Sequence, residues 1–174
     1  MIKSLLFAVI LMGVLLTSAN SQGEYIFQLV KAKTINSTLA SQFPIKKSFQ
    51  GNTATFSQPQ VIINVLDQSI KLQMTASANE GQQQLITTLV FVGEMTYDSF
   101  SESYIFEVLQ LDSFKVEQDS FTDSQGIIKA IKQSLINNFD DLVLFNMADL
   151  SSLAPTRPAD EIEISKQQLR FIWK

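Results

Sequence analysis

Thr122-Asp123-Ser124-Gln125-Gly126-Ile127-Ile128-Lys129-Ala130-Ile131-Lys132-Gln133-Ser134-Leu135-Ile136-Asn137-Asn138-Phe139-Asp140-Asp141 is the stretch on which the fold turns. Thr122 at a helix N-cap with Gln125 at N3 matches a capping box, in which each side chain satisfies a backbone N–H that the first turn leaves free. Ile127, Ile128, Ile131, Leu135, Phe139 and Leu142 then recur as a stripe, with Lys129, Lys132, Gln133 and Asn137 off it. At 1.5 Å per residue, Asp123 to Asp141 predicts a helix about 28 Å long. Such a helix can run the length of a curled sheet and fill its concave side.

The sheet is read from the residues before it. Ile70 to Ala78 is the cleanest strand, with Ile70, Leu72, Met74 and Ala76 on one face and Lys71, Gln73, Thr75 and Ser77 on the other. Ala54 to Leu66 pairs with it as a hairpin through Asp67-Gln68-Ser69. Leu85 to Asp98 and Ser103 to Glu117 form a second hairpin around Ser99-Phe100-Ser101-Glu102. Strands this long exceed the usual length of about 5–6 residues, and accumulated twist makes long antiparallel strands curl. The apolar phase drifts between Tyr104-Phe106-Val108 and Leu109-Leu111, as a mid-strand bulge would produce.

Tyr25 to Val30 reads as a short strand. Thr34 to Phe43 reads as a short helix with Ile35, Leu39 and Phe43 on one face, ended by Pro44. Leu142 to Met147 reads as extended again. Glu161-Ile162-Glu163-Ile164 and Leu169 to Trp173 read as closing strands, with Leu169, Phe171 and Trp173 on one face. The expected fold class is therefore α+β: a long, strongly curved antiparallel sheet wrapped around one long helix, plus a short N-terminal helix.

Composition mainly excludes. The 174 residues carry no His and no Cys, which removes His/Cys metal sites, Ser-His-Asp triads, Cys nucleophiles and disulfides. Thirteen basic against 17 acidic residues, thinly spread, leave no electrostatic footprint for nucleic acid. The first residues read as an address. Lys3 precedes the unbroken apolar run Leu5 to Leu16, and small polar residues follow, the order of a secretory signal peptide. Ala19 and Ser21 suit the −3 and −1 positions and leave Gln22 first; Thr17 and Ala19 are the alternative. An uncleaved anchor is disfavoured, because a 12-residue run spans about 18 Å of a hydrocarbon core roughly 30 Å thick. The expected organisation is a signal peptide at 1–21 and one domain at 22–174, in the periplasm, without the Cys that a lipoprotein needs.

Several local segments resemble the YceB-like family of small bacterial envelope proteins. They are the Thr34-Ile35-Asn36-Ser37-Thr38-Leu39-Ala40 helix, Ile70 to Ala78, Phe106 to Val116, the Ile127 to Phe139 helix ending in Asn137-Asn138-Phe139, and Ile162-Glu163-Ile164 to Ile172. The resemblance covers nearly all of the mature chain. It implies a tubular lipid-binding (TULIP-like) fold, in which a curved sheet wraps a long helix and the seam holds acyl chains. Family members commonly carry an acylated Cys at the mature N-terminus; Ser, Asn and Gln stand in that region here.

Only carboxylates remain as catalytic candidates. Asp140-Asp141 are adjacent on a helix, do not face one another, and suit a solvated end better than an acid/base pair. Asp160, Glu161 and Glu163 offer three acids in four residues, but without the Gly and alternating oxygens of a calcium loop they suit a solvated edge strand. Asn36-Ser37-Thr38 fits the glycosylation pattern inside a helix. Lys46-Lys47 beside Phe43 and Phe49 is either a small membrane-facing patch or a polar loop. Ser/Lys catalysis needs a Lys in a buried setting, and every Lys here sits among polar residues.

The expectation is thus a non-enzymatic periplasmic protein, without metal or cofactor, that binds a lipid or fatty-acyl chain between the long helix and the concave sheet face. The slot would be lined by Leu72, Met74, Leu89, Phe91, Tyr104, Phe106, Ile127, Ile131, Leu135 and Phe139; each of these is also an ordinary core residue. Peripheral membrane association fits the same expectation. The alternative is an envelope interaction module with a closed core, offering a partner its Leu150 to Asp160 loop and terminal strand edges.

Overall fold

Alternating apolar and polar residues build one long sheet. The structure, a computed structural model, describes residues 25–174 except 50, 139–141 and 151, and describes no side chain for 49 and 134–138. The expected signal peptide, 1–21, lies outside the described residues. In chain order the elements are β1 (Ile26–Lys31), α1 (Ala32–Ser41), β2 (Ile45–Phe49), β3 (Asn52–Asn64), β4 (Ser69–Glu80), β5 (Gln83–Asp98), β6 (Ser103–Asp119), α2 (Gln125–Asn138), β7 (Leu142–Asn146), β8 (Glu161–Ser165) and β9 (Gln168–Trp173). The strands form two antiparallel sheets, a six-stranded β2-β3-β4-β5-β6-β7 and a three-stranded β1-β9-β8.

The expected fold class does not hold. The described chain is mostly β, with two short helices and no long helix inside a sheet. α2 has 14 residues, about 21 Å at 1.5 Å per residue. It starts at Gln125 rather than after Thr122, because Asp119 holds Ser124 (2.5 Å) and Ser124 is buried. Instead of a capping box, Asp123 accepts from the Gln125 N–H (3.1 Å) and the Ser124 carbonyl takes the Ile128 N–H (2.9 Å). Its apolar face meets β2 and the start of β3 at one end of the six-stranded sheet, beside Lys47, Thr53 and Ala54. Leu142, the last residue of the expected stripe, opens β7 instead. Among the described residues, then, no long helix has a sheet wrapped around it.

On β4, Ile70, Leu72, Met74, Ala76 and Ala78 are buried while the intervening residues are half-buried, so the alternation fixes the core face. β5 continues that face with Leu85, Thr87, Leu89 and Phe91. The β5–β6 register slips three times, leaving Leu109, Asp112 and Glu117 as extra residues on β6. The slip at Leu109 falls where the apolar phase drifts. Each such bulge bends the strand and adds twist. Gly93 sits at one of them. A Cβ there would lie 2.4 Å from both the Glu107 carbonyl oxygen and the Phe106 ring, a distance that only glycine accommodates.

The three-stranded sheet turns Leu169, Phe171 and Trp173 inward, all buried. Phe171 packs on Tyr104 (4.8 Å between centroids) and Phe145 (5.1 Å). This aromatic cluster joins the two sheets. The two buried polar ring atoms in it are satisfied: the Trp173 Nε1–H donates to the Arg157 carbonyl (3.0 Å), and the Tyr104 hydroxyl accepts from the Ala159 N–H (2.8 Å). Both bonds pin the loop that leads into β8.

α1 closes the larger sheet. Ile35 and Leu39 are fully buried, and its flanks carry side-chain amides to two strand edges. Asn36 Oδ1 accepts from the Val61 N–H on β3 (2.7 Å). Gln42 Nε2 donates to the Val143 carbonyl on β7 (2.6 Å), and its Oε1 accepts from the Val143 N–H (3.0 Å). Amides can stand in for a neighbouring strand because they carry both donor and acceptor.

Candidate functional site

The expected apolar slot is packed core. Leu72, Met74, Leu89, Phe91, Tyr104 and Phe106 are each 2% exposed or less. Phe145 stacks on Tyr104, Phe171 packs on it at a tilt, and a Cβ on Gly93 would meet the Phe106 ring. Ile127 and Ile131 are buried where α2 meets β2 and β3, as part of the same hydrophobic core. The Leu135 and Phe139 side chains lie outside the described residues. Among the described residues no long helix lies against the sheet face to form the expected seam.

Of the candidate carboxylates, Asp160, Glu161 and Glu163 are each paired with a cation. Arg157 donates to both oxygens of Asp160 (3.0 and 3.1 Å), which also takes the Lys174 N–H (2.7 Å). The guanidinium and that N–H hold the Asp160 carboxyl below its ordinary pKa. Glu161 meets Lys174 (2.8 Å) and Glu163 meets Arg170 (3.1 Å). The described residues contain no group of three or more metal-ligating side chains. Asp140 and Asp141 lie outside the described residues. Lys46 and Lys47 lie on β2, and Asn36 has its oxygen on the β3 edge. Among the described residues no helix is long and apolar enough to cross a membrane.

A different place on the molecule has the geometry of a binding site. Where the first turns of α1 pass over β3 and the β8–β9 turn, a groove of about 790 Å³ opens. Pockets for small ligands run roughly 300–1,000 Å³. Its aliphatic lining is Ala32, Ala40, Val61 and Ile63, and its polar lining includes Asn36, Ser37 and Gln168. Three cations stand around it: Lys31 at the end of β1, Lys33 on α1 and Lys166 in the β8–β9 turn. No acidic residue lines it. Among the described residues none of the three lysines is in an ion pair, whereas Lys71, Lys115 and Lys174 all are.

Local structure holds these lysines together. Lys31 pairs with Gln168 across β1–β9, and the Ala32 N–H donates to the Gln167 carbonyl (2.9 Å). The Asn36 bond to Val61 fixes α1 over β3. Gln167 sits at φ 62°, the left-handed conformation that lets a two-residue turn join Ser165 to Gln168. Ser37 donates to the Lys33 carbonyl (3.0 Å), an ordinary helix contact. The groove offers cationic side chains at its rim and aliphatic surface within.

None of the three lysines was among the expected site residues. Lys31-Ala32-Lys33 straddles a strand-to-helix junction, and Lys166-Gln167 joins two short strands; those are the available sequence signals. Their meeting depends on the β1–β9 pairing, across almost the whole described chain. No protein-family model matches this chain, and no curated protein matches it.

Proposed function

We propose that this chain is a non-enzymatic binding protein, exported to the periplasm, whose ligand is an amphipathic anion such as a fatty-acyl carboxylate. The carboxylate sits among Lys31, Lys33 and Lys166, and the first part of the apolar tail lies against Val61, Ile63 and Ala40. The observation that carries this is a groove of 790 Å³ whose rim holds three cations with no acidic partner and whose lining is partly aliphatic. The N-terminal charge and apolar pattern, together with the YceB-like segments, supports export and an envelope setting. The ligand class is that expected from the sequence, but its place moves from the core to the α1–β3 groove.

Titration calorimetry with dodecanoate tests it. Each lysine–carboxylate contact at an exposed rim is worth about 1 kcal/mol or less, so Lys33→Ala and Lys166→Ala should each raise the Kd by up to about fivefold. Added salt should weaken binding, because exposed charges are screened over about 8–10 Å. Dodecanol, which has the tail without the charge, should bind more weakly than dodecanoate. Equal affinity for dodecanol, or indifference to both lysine changes, would overturn the proposal.

A further inference from the structure

The α1–β3 groove collects more positive charge than one carboxylate can meet. Lys31, Lys33 and Lys166 all line it, and among the described residues no acidic side chain does. Backbone pairing sets the three beside one another. Lys31 ends β1 opposite Gln168, and the Ala32 N–H, between Lys31 and Lys33, donates to the carbonyl of Gln167, the neighbour of Lys166 (2.9 Å). The acids on β8 are taken: Glu161 meets Lys174 (2.8 Å) and Glu163 meets Arg170 (3.1 Å). Like charges gathered in this way repel one another. A groove that keeps them together in a chain of net charge −4 therefore gains from a ligand of matching charge. Asn36 adds a donor of fixed orientation. Its Oδ1 accepts from the Val61 N–H (2.7 Å), so the end of this amide that a ligand can meet is Nδ2.

We propose that, within the class of amphipathic anions, this groove prefers a phosphate monoester on an alkyl or acyl chain to a fatty-acyl carboxylate. The inference rests on the groove being the amphiphile site proposed above, and adds the chemistry of the head group. A carboxylate brings one negative charge and two oxygens. A phosphate monoester brings a charge of about −2 above its second pKa of about 6, and three terminal oxygens, one for each lysine. Lysine suits this head because its ammonium binds phosphate as a point charge with three rotatable donors. Among the described residues no arginine lines the groove. Charge and oxygen count, rather than the planar fork of a guanidinium, therefore decide the preference. The tail keeps its place against Val61 and Ile63.

Titration calorimetry on the protein expressed from its full coding sequence tests this with octyl phosphate, octyl sulfate and octanoate. Each is used below its aggregation threshold, at pH 8 and low salt. Octyl sulfate has the same tail and tetrahedral oxygens but one charge fewer. A further exposed ion pair changes Kd by up to about fivefold, and the second charge meets three lysines, so octyl phosphate should bind at least about fivefold more tightly than either of the others. Combining Lys31→Ala and Lys166→Ala, both at exposed positions, should narrow that gap while the thermal unfolding midpoint holds. At pH 5, where the phosphate monoester is mostly singly charged, the gap over octyl sulfate should close. Equal affinity for all three at pH 8, or a gap that the two lysine changes leave intact, overturns the preference while carboxylate binding in the groove stands. Failure of all three to bind overturns the groove reading itself and this inference with it. Inorganic phosphate distinguishes the source of the head group. It should displace octyl phosphate only at far higher concentration, and displacement at equal concentration overturns the proposal in favour of the free ion.

Discussion

Tyr104→Phe removes one oxygen atom from the aromatic cluster that joins the two sheets. The ring contacts with Phe145, Phe171 and Tyr97 remain, at centroid distances of 5.1, 4.8 and 5.3 Å. What is lost is the acceptor for the Ala159 N–H at 2.8 Å. Leaving a buried donor without its partner costs about 1–3 kcal/mol. Ala159 is half-buried, and water reaching its N–H places the expected loss near the lower end, about 1 kcal/mol. For a chain of this size that lowers the Tm by about 2–4 °C. Burial raises the Tyr104 pKa above its ordinary 10.0, against a smaller opposing effect of the Ala159 N–H. Above pH 10 the unfolded chain therefore loses a proton that the folded chain keeps. Stability falls as pH rises from about 10 towards the folded-state value. Tyr104→Phe removes that slope, so the gap between variant and wild type should narrow in alkali. Thermal melts followed by circular dichroism at neutral pH and above pH 10 read both effects. An unchanged or higher Tm at neutral pH, or a gap that is constant or widens in alkali, would refute the assigned role of the hydroxyl.

Gly93→Ala places a Cβ 2.4 Å from a backbone oxygen and from the Phe106 ring; overpacking of this kind costs about 1–3 kcal/mol and should appear as a lower urea midpoint. Gln42→Ala frees both backbone groups of Val143 and should cost about 1–2 kcal/mol, with faster amide exchange at Val143 as the local sign. Asp160→Asn removes a carboxylate whose pKa is lowered by Arg157 and the Lys174 N–H. Such a group contributes stability above the ordinary carboxylate pKa of 3.8, and that contribution is lost as pH falls through the lowered value. The wild type should therefore lose more Tm than Asp160→Asn between pH 5 and pH 2, a difference read from melts in acid.

How far the sequence reaches depends on the range of the interactions involved. Ile70 to Ala78 is legible because one side of a half-buried strand is set by alternation alone, and Leu169, Phe171 and Trp173 follow the same rule. The bulge at Leu109 shows as a change of phase. The long helix fails for a local reason: Leu142 continues the helical stripe yet is buried in β7, so one apolar residue satisfies both periods. β2 is hidden because Lys46 and Lys47 make a paired edge strand look like a polar loop. The division into two sheets rests on β1–β9 pairing between residues some 140 positions apart, which no local pattern encodes. The same distance hides the groove, since Lys31, Lys33 and Lys166 are unremarkable in sequence and become a site only through that pairing. Of the expected slot residues, Leu72, Met74, Leu89, Phe91, Tyr104, Phe106, Ile127 and Ile131 are buried as their apolar pattern suggests; that Phe145 and Phe171 pack on Tyr104 is tertiary information.

Photolabelling separates the groove from the core. A dodecanoate carrying a diazirine in its tail, irradiated with the protein and mapped by peptide mass spectrometry, should mark the segments holding Ala40, Val61, Ile63 and Gln168. Marking should diminish in the combined Lys31→Ala, Lys33→Ala and Lys166→Ala variant. Label concentrated instead on Leu72, Phe91 or Phe106, or label indifferent to the three lysines, would contradict the account.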